Sequence, residues 1–289
     1  MGSTDGNRPP TTTLPLAVLY RLRALYIAAV GAPIVLGAVI AWRRAHAFDV
    51  GLFALCLVGV IMLQAGTTMT NDAFDLRYHG EEPSLLPVQV LQGGLAFFVV
   101  GGMVGLYIAL VAGPLVIALG VFGVASALAY SVPPVRLAGT GAGELLAGLN
   151  LSVVTALGSY YVQAGALSAE VLVAALPCAF LLAGVLAVNG FRPSRLVEHR
   201  PLWRRLGSRG AFAVCGVSTA LAFASLAWGL WRQWLPATAL LAWGALPLAA
   251  VALWASKEGA LRRATRYGAY AYLTMMGLLV VAYLLELRL

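Results

Sequence analysis

Nine apolar stretches, each close to the length of a bilayer's hydrocarbon core, occupy most of this 289-residue chain. They run roughly over 24–42, 50–70, 93–111, 114–130, 145–163, 168–188, 211–231, 234–255 and 268–286. A spanning helix needs about 20 apolar residues, and no interval between these stretches has room for a soluble domain. Backbone polar groups in hydrocarbon must be satisfied inside their own segment, which leaves helices packed into one bundle. Composition agrees, with 61% hydrophobic residues, 10% charged residues and a mean hydropathy of +0.87; a soluble domain is about a quarter charged. The expected fold is all-α: a polytopic membrane protein with about nine transmembrane helices, formed by residues 21–289 as a single domain. Residues 1–20 are expected to be a disordered polar tail, since Met1 to Thr13 is polar and carries Pro9-Pro10. That stretch lacks the basic start and short apolar core of a signal peptide.

An odd number of spans puts the termini on opposite sides. With the N-terminus in the cytosol, 15 of the 19 basic residues fall on the cytosolic side, and only Arg43, Arg44, Arg232 and Arg288 on the other. This asymmetry follows the positive-inside rule, and an eight-span reading would scramble it. The expected location is therefore the inner (plasma) membrane, with the N-terminus and the longer loops, 71–92, 131–144, 189–210 and 256–267, on the cytosolic face. The net charge of +8 then reports orientation, and no nucleic-acid partner is expected; the bilayer is. Cys56, Cys178 and Cys215 are isolated in apolar stretches, in neither metal-ligand nor disulfide spacing, and read as buried small side chains.

Chemistry-bearing residues gather at two of the cytosolic loops. The first is Thr70-Asn71-Asp72-Ala73-Phe74-Asp75-Leu76-Arg77-Tyr78-His79-Gly80-Glu81-Glu82. If the second helix continues through it, Asn71, Asp72 and Asp75 share one face. Carboxylates at a helix C-terminus oppose the macrodipole, and ionisable groups at the edge of a span usually have a partner. Clustered oxygen ligands suit Mg²⁺, which commonly carries phosphate with it; the plainer alternative is a solvated helix end. The second is Tyr130-Ser131-Val132-Pro133-Pro134-Val135-Arg136-Leu137-Ala138-Gly139-Thr140-Gly141-Ala142-Gly143-Glu144. The prolines end one helix and the glycines allow close backbone approach before the next. Arg136 either grips phosphate oxygens bidentately or merely occupies a rigid turn.

Together, Asn-Asp-x-x-Asp after the second span and Tyr-Ser-x-Pro-Pro-x-Arg-Leu with Gly-x-Gly-Glu after the fourth resemble the UbiA superfamily of intramembrane prenyltransferases. Val90-Leu91-Gln92-Gly93-Gly94, Gly148-Leu149-Asn150 and Ser159-Tyr160-Tyr161-Val162-Gln163 also look like that family. Within it, the chain is most similar to the polyprenyltransferases that prenylate dihydroxynaphthoate on the way to menaquinone. The similarity is specific over about 62–165. It implies a nine-helix bundle around a central chamber open sideways to lipid. It also implies an isoprenoid diphosphate donor, an aromatic acceptor, and Mg²⁺ held by Asn71, Asp72, Asp75 and, with altered spacing, Glu81. The implied catalytic residues are Asp72, Asp75 and Arg136. The implied substrate contacts are Asn71, Arg77, Tyr130, Arg136, Asn150, Tyr160, Tyr161, Asn189, Arg192 and Arg195. In that scheme an allylic cation, shielded from water and faced by tyrosine rings, is captured by an electron-rich ring.

One departure stands out. The family carries a second Asp-rich motif after the sixth span, whereas residues 189–207 here hold no aspartate and a single carboxylate, Glu198. Three readings stay open: arginine charge from Arg192 and Arg195 replaces a cation, the chamber cyclises the same donor, or catalysis is lost and a lipid- or partner-binding protein remains. A transporter fits less well, because no internal repeat with matched broken helices is evident. Nothing in the sequence specifies an oligomer.

Overall fold

The apolar stretches are helices, and so are many of their polar flanks. The computed structural model describes residues 24–79, 87–132, 134–191 and 201–287; the expected tail at 1–20 lies outside them. Among the described residues there are nine helical segments and no strand. They are α1 (Ala24–Ala45), α2 (Val50–His79), α3 (Pro87–Ala112), α4 (Leu115–Ser131), α5 (Ala142–Ala164), α6 (Ala169–Gly190), α7 (Pro201–Trp231), α8 (Ala237–Lys257) and α9 (Leu261–Glu286). Eight are long and apolar enough to cross a membrane; α4, at 17 residues, is at the short end of that range.

The helices outrun the apolar windows, mostly at one face of the bundle. The second window ends at 70, but α2 continues to His79; the third begins at 93, but α3 begins at Pro87. An apolar window measures the hydrocarbon layer, while a helix persists through the interface because its own hydrogen bonds propagate it. Pro87 suits a first helical position, where its missing N–H has no intrahelical partner anyway. Three helices are irregular among the described residues: α5 contains a π-helical stretch at Asn150–Val154, α7 is kinked at Gly207, whose φ is 57°, and α8 opens with a 3₁₀ stretch at Ala237–Ala245.

Helix α6 is the axis of the bundle, with 15 buried residues along its 22. Helices α1, α5, α7 and α9 pack around it and α8 packs on α7 and α9, contributing Leu36, Ile40, Ala156, Leu226, Ala242, Met275 and Leu279 to one continuous core. Helices α2, α3 and α4 present large exposed apolar side chains such as Val99, Met103, Leu110 and Val121, as lipid-facing surfaces do. Small residues set the closest approaches, as expected where apolar burial alone cannot hold helices together. A Cβ at Gly37 of α1 would collide with the Ala156 carbonyl of α5, and one at Gly148 of α5 with the Ala179 carbonyl of α6. The three cysteines are buried and free.

The opposite face, where α1 and α9 end and α6 and α8 begin, is tied by charge. Arg43 spans Glu170 (3.3 Å) and Glu286 (3.4 Å), Arg44 pairs with Glu170, and Thr238 donates to Glu286 at 3.0 Å. Glu170 is 8% exposed and Arg44 54%. Removing one member of a buried ion pair strands its partner and typically costs several kcal/mol, whereas an exposed pair is worth under about 1 kcal/mol. Since Arg43 keeps Glu286 when Glu170 is removed, Glu170→Ala is expected to destabilise the protein by about 1–2 kcal/mol, read as a lowered thermal midpoint in detergent, while Arg44→Ala shifts that midpoint little.

Candidate functional site

The second helix does continue through the first motif. At 100° per residue, Gln64, Thr67, Thr68, Asn71 and Asp72 fall on one stripe, and the register places residue 75 at its centre. The stripe lies opposite Met69 and Ala73, which pack with Val90 of α3. Along it, Gln64 Nε2 donates to Thr68 Oγ1 (3.3 Å), while the Thr67 and Thr68 hydroxyls donate to the Leu63 and Gln64 carbonyls at 2.9 Å. These local bonds keep the hydroxyls inside the helix wall, so the stripe grows more polar towards the helix C-terminus. Asn71 and Asp72 are half-buried there and each has an interaction partner. The side chains of Asp75 and Arg77, and all of Glu81, lie outside the described residues.

The donor chemistry of this stripe fits Mg²⁺, since the carboxamide of Asn71 and the carboxylate of Asp72 offer only hard oxygen acceptors. Among the described residues no group of three or more His, Cys, Asp or Glu comes together. Beside the stripe, the Thr70 hydroxyl is buried and has no partner among the described residues, as is the Ser131 hydroxyl at the end of α4.

The second motif is a tight structure clamped on both sides. On the α4 side, Leu137 N–H donates to the Ala129 carbonyl (2.9 Å) and Ala138 N–H to that of Tyr130 (3.0 Å). On the α5 side, Glu144 accepts from Gly139 N–H at 2.8 Å and Gly141 N–H at 2.9 Å. Glu144 is the third residue of α5 and reaches back to the cap residue, as in a capping box; it is 1% exposed. Gly139 and Gly141 have φ of 87° and 85°, values that glycine adopts without strain. Just before the α4 clamp sits Arg136, half-buried, with its own N–H donated to the Val132 carbonyl at 3.0 Å and with φ of 28°. For a residue with a Cβ this is costly, of order 1–3 kcal/mol, and it persists only where the surroundings over-determine it.

Six residues after Glu144, about 9 Å further along α5, Asn150 begins the π-helical stretch. Its Nδ2 donates to the Gly123 carbonyl (3.2 Å) and the Ser126 hydroxyl (2.8 Å) of α4. A carbonyl only accepts, so the amide nitrogen must face α4, and the carboxamide oxygen accepts from no described residue. Such π-stretches often occur at functional sites.

Because consecutive helices alternate in direction, the C-terminal ends of α2, α4 and α6 lie on one face with the start of α5. That face holds Asn71, Asp72, Tyr130, Arg136 and Asn189, the last half-buried near the end of α6 and with a partner of its own. Tyr160 and Tyr161 are not brought there. They lie about 15 Å further along α5 than Asn150. Tyr160 is 7% exposed in the α1–α5–α6 core. Tyr161 sits against the turn between α3 and α4, where a Cβ at Gly113 would collide with its hydroxyl. Arg192 and Arg195 lie outside the described residues. Sequence reasoning missed Glu144 as a functional candidate, although a glutamate three residues after a glycine cap, at a helix start, carries the capping signal. It also missed Ser126, which only the packing of α4 on α5 reveals.

The model of the UbiA prenyltransferase family matches residues 30–275. The chain is also similar to 1,4-dihydroxy-2-naphthoate octaprenyltransferase of Bacillus subtilis (strain 168), with 24% identity over 210 residues. That match covers 66% of this chain and 66% of the relative's length.

The tightness of the 132–143 loop is directly measurable. A Cβ at Gly143 would collide with the Leu137 carbonyl, which is backbone and cannot swing aside. Gly143→Ala is expected to raise hydrogen exchange at the Gly139 and Gly141 amides by about tenfold or more, the effect of losing roughly 1.4 kcal/mol of local protection, while exchange in α6 is unchanged.

Proposed function

The chain belongs to the UbiA prenyltransferase family, and from that membership we propose that it moves an isoprenyl group from an isoprenoid diphosphate to an aromatic acceptor of the quinone-precursor type. The observation that carries this reading is the polar stripe of α2, ending in Asn71, Asp72 and the register position of Asp75, on the same face as the clamped Arg136 loop. The naphthoate named for the Bacillus relative supplies the first acceptor to test. The reading places the chain in the inner (plasma) membrane with this face cytosolic, in keeping with the skew of its basic residues.

In this proposal Asn71, Asp72, Asp75 and Glu81 hold Mg²⁺, which supplies positive charge to the donor's diphosphate. Arg136 hydrogen-bonds the diphosphate oxygens and stabilises the charge that grows on them as the allylic carbon–oxygen bond breaks. Both bonding electrons leave with the diphosphate. The allylic carbon then forms a bond to an electron-rich ring carbon, which gives up its proton. Tyr130, at the loop face, presents a ring to the cationic carbon, and the carboxamide oxygen of Asn150 accepts a hydrogen bond from a hydroxyl of the aromatic acceptor. Tyr160 and Tyr161 hold α5 in place. The apolar walls keep out water, which would otherwise trap the cation as an alcohol. Arg192 and Arg195 supply the charge that a second Asp-rich motif would recruit with a metal, and Arg77 and Asn189 are assigned further contacts to the substrates.

The absence of aspartate from 189–207 favours one second reading, cyclisation of the donor by itself. Purified protein incubated with geranylgeranyl diphosphate, MgCl₂ and dihydroxynaphthoate or hydroxybenzoate acceptors separates the two. A prenylated aromatic is expected; a terpene hydrocarbon or alcohol formed without acceptor would indicate the cyclase, and no turnover a binding role. Asp75→Ala is expected to lower Mg²⁺-dependent transfer by at least about 100-fold, of the order lost with a principal electrostatic group, in a protein that still assembles. Full activity in that variant would remove the metal assignment. Arg192→Ala combined with Arg195→Ala is expected to weaken donor affinity by about tenfold or more; unchanged affinity would leave these arginines only an orienting role in the membrane.

A further inference from the structure

We infer that Glu144 is a positioning residue for the transfer reaction: its buried carboxylate holds the loop that presents Arg136 to the donor's diphosphate, without touching the donor itself. The inference rests on the proposed role of Arg136 and goes beyond it. A carboxylate 1% exposed must be well satisfied, and both oxygens of Glu144 are used within the loop, on Gly139 N–H and Gly141 N–H. The two amides converge on one anion, much as backbone groups do in a phosphate-binding nest. Here the anion is supplied by the chain. Those N–H groups are therefore unavailable to the diphosphate, and recognition at this loop falls to the Arg136 side chain.

The geometry also explains how Arg136 is kept in a backbone conformation its side chain disfavours. Leu137 and Ala138 are fastened to the last turn of α4. Gly139 and Gly141 are fastened to α5 by Glu144, and Thr140 donates to the Leu137 carbonyl at 2.7 Å while accepting from Gly143 N–H at 3.3 Å. With the α5 clamp released, the chain after Arg136 is held only by the α4 bonds of Leu137 and Ala138 and by Thr140, and the loosened loop no longer fixes the aim of the guanidinium.

The test is a double-mutant cycle on donor affinity, with the full chain in nanodiscs, MgCl₂ and geranylgeranyl thiolodiphosphate as an uncleaved donor analogue. Glu144→Gln keeps shape but offers one acceptor where two N–H groups need one each. Arg136→Ala removes the presented group. Each single change is expected to raise the Kd by about tenfold, the scale of one lost charge-assisted hydrogen bond. The pair together is expected to match Arg136→Ala alone within about twofold, because positioning is worthless once the positioned group is gone. An unchanged Kd in Glu144→Gln, or an effect that multiplies fully with Arg136→Ala, overturns the inference and leaves the Arg136 assignment standing. An unaltered protein that does not bind the analogue, or an Arg136→Ala protein that binds as the unaltered one does, overturns that assignment and the inference with it. If Glu144→Gln does not assemble, Thr140→Val loosens the same loop without stranding a buried charge. A rise of about threefold, the scale of one weak neutral hydrogen bond, that vanishes in the Arg136→Ala background supports the inference; no rise, or a fully multiplicative one, overturns it.

Discussion

A peptide group in hydrocarbon has no water to bond, so each of its donors and acceptors must be satisfied by the chain itself. This constraint shapes the bundle and also locates its chemistry. It forces the apolar stretches into helices and excludes irregular backbone from the lipid-facing depth. It leaves freely folded loops only at the two faces. Within the apolar spans the described helices obey it with two local departures, the π-helical stretch of α5 and the 3₁₀ stretch of α8, both packed against other helices; the kink of α7 at Gly207 falls before its apolar span begins at Arg209. With α6 buried along most of its length, the remaining helices have little freedom in how they surround it. Their alternation then carries the ends of α2, α4 and α6 to a common face.

The two faces solve the problem of charge differently. On one, Arg43, Arg44, Glu170 and Glu286 neutralise each other across α1, α6 and α9, so the charge there serves to tie helix ends together. On the other, the carboxylate of Glu144 is turned inward onto backbone N–H groups, while Asn71, Asp72 and Arg136 stay half-buried at the rim. A polar group that is fully satisfied inside the protein rigidifies it; one that keeps access to the rim retains the capacity to bind. The proposed prenyl transfer depends on that division, with Glu144 on the rigid side of it and Arg136 on the binding side.

Residue spacing carried much of the site. Asn71, Asp72 and Asp75 are close enough in sequence that helical geometry alone settles their common stripe, and Arg136 is marked by the prolines and glycines around it. Tyr160 and Tyr161 show where spacing fails. Their resemblance to family residues gave no depth along α5, and packing sets them far from the loop face, one against α1 and the other against the Gly113 turn. Glu144 illustrates the converse. A glutamate at a helix start looks like a routine cap, and its importance appears only when burial and the folding of the Gly139–Gly141 backbone around it are seen together.

By itself, then, the sequence determined everything that depends on composition and on neighbours a few residues apart: an all-helical membrane bundle, its nine segments, the skew of its basic residues and the acidic stripe on α2. Hydrophobicity and helical periodicity are local properties, and each segment carries them wherever it packs. Only the tertiary structure decided which helix would be central, which tyrosines would lie at which depth, and which carboxylate would be spent on holding a loop. Those outcomes turn on contacts between residues distant in the chain, such as Gly37 with Ala156, Asn150 with Ser126 and Arg43 with Glu170, and no local pattern encodes which distant partner a side chain will meet.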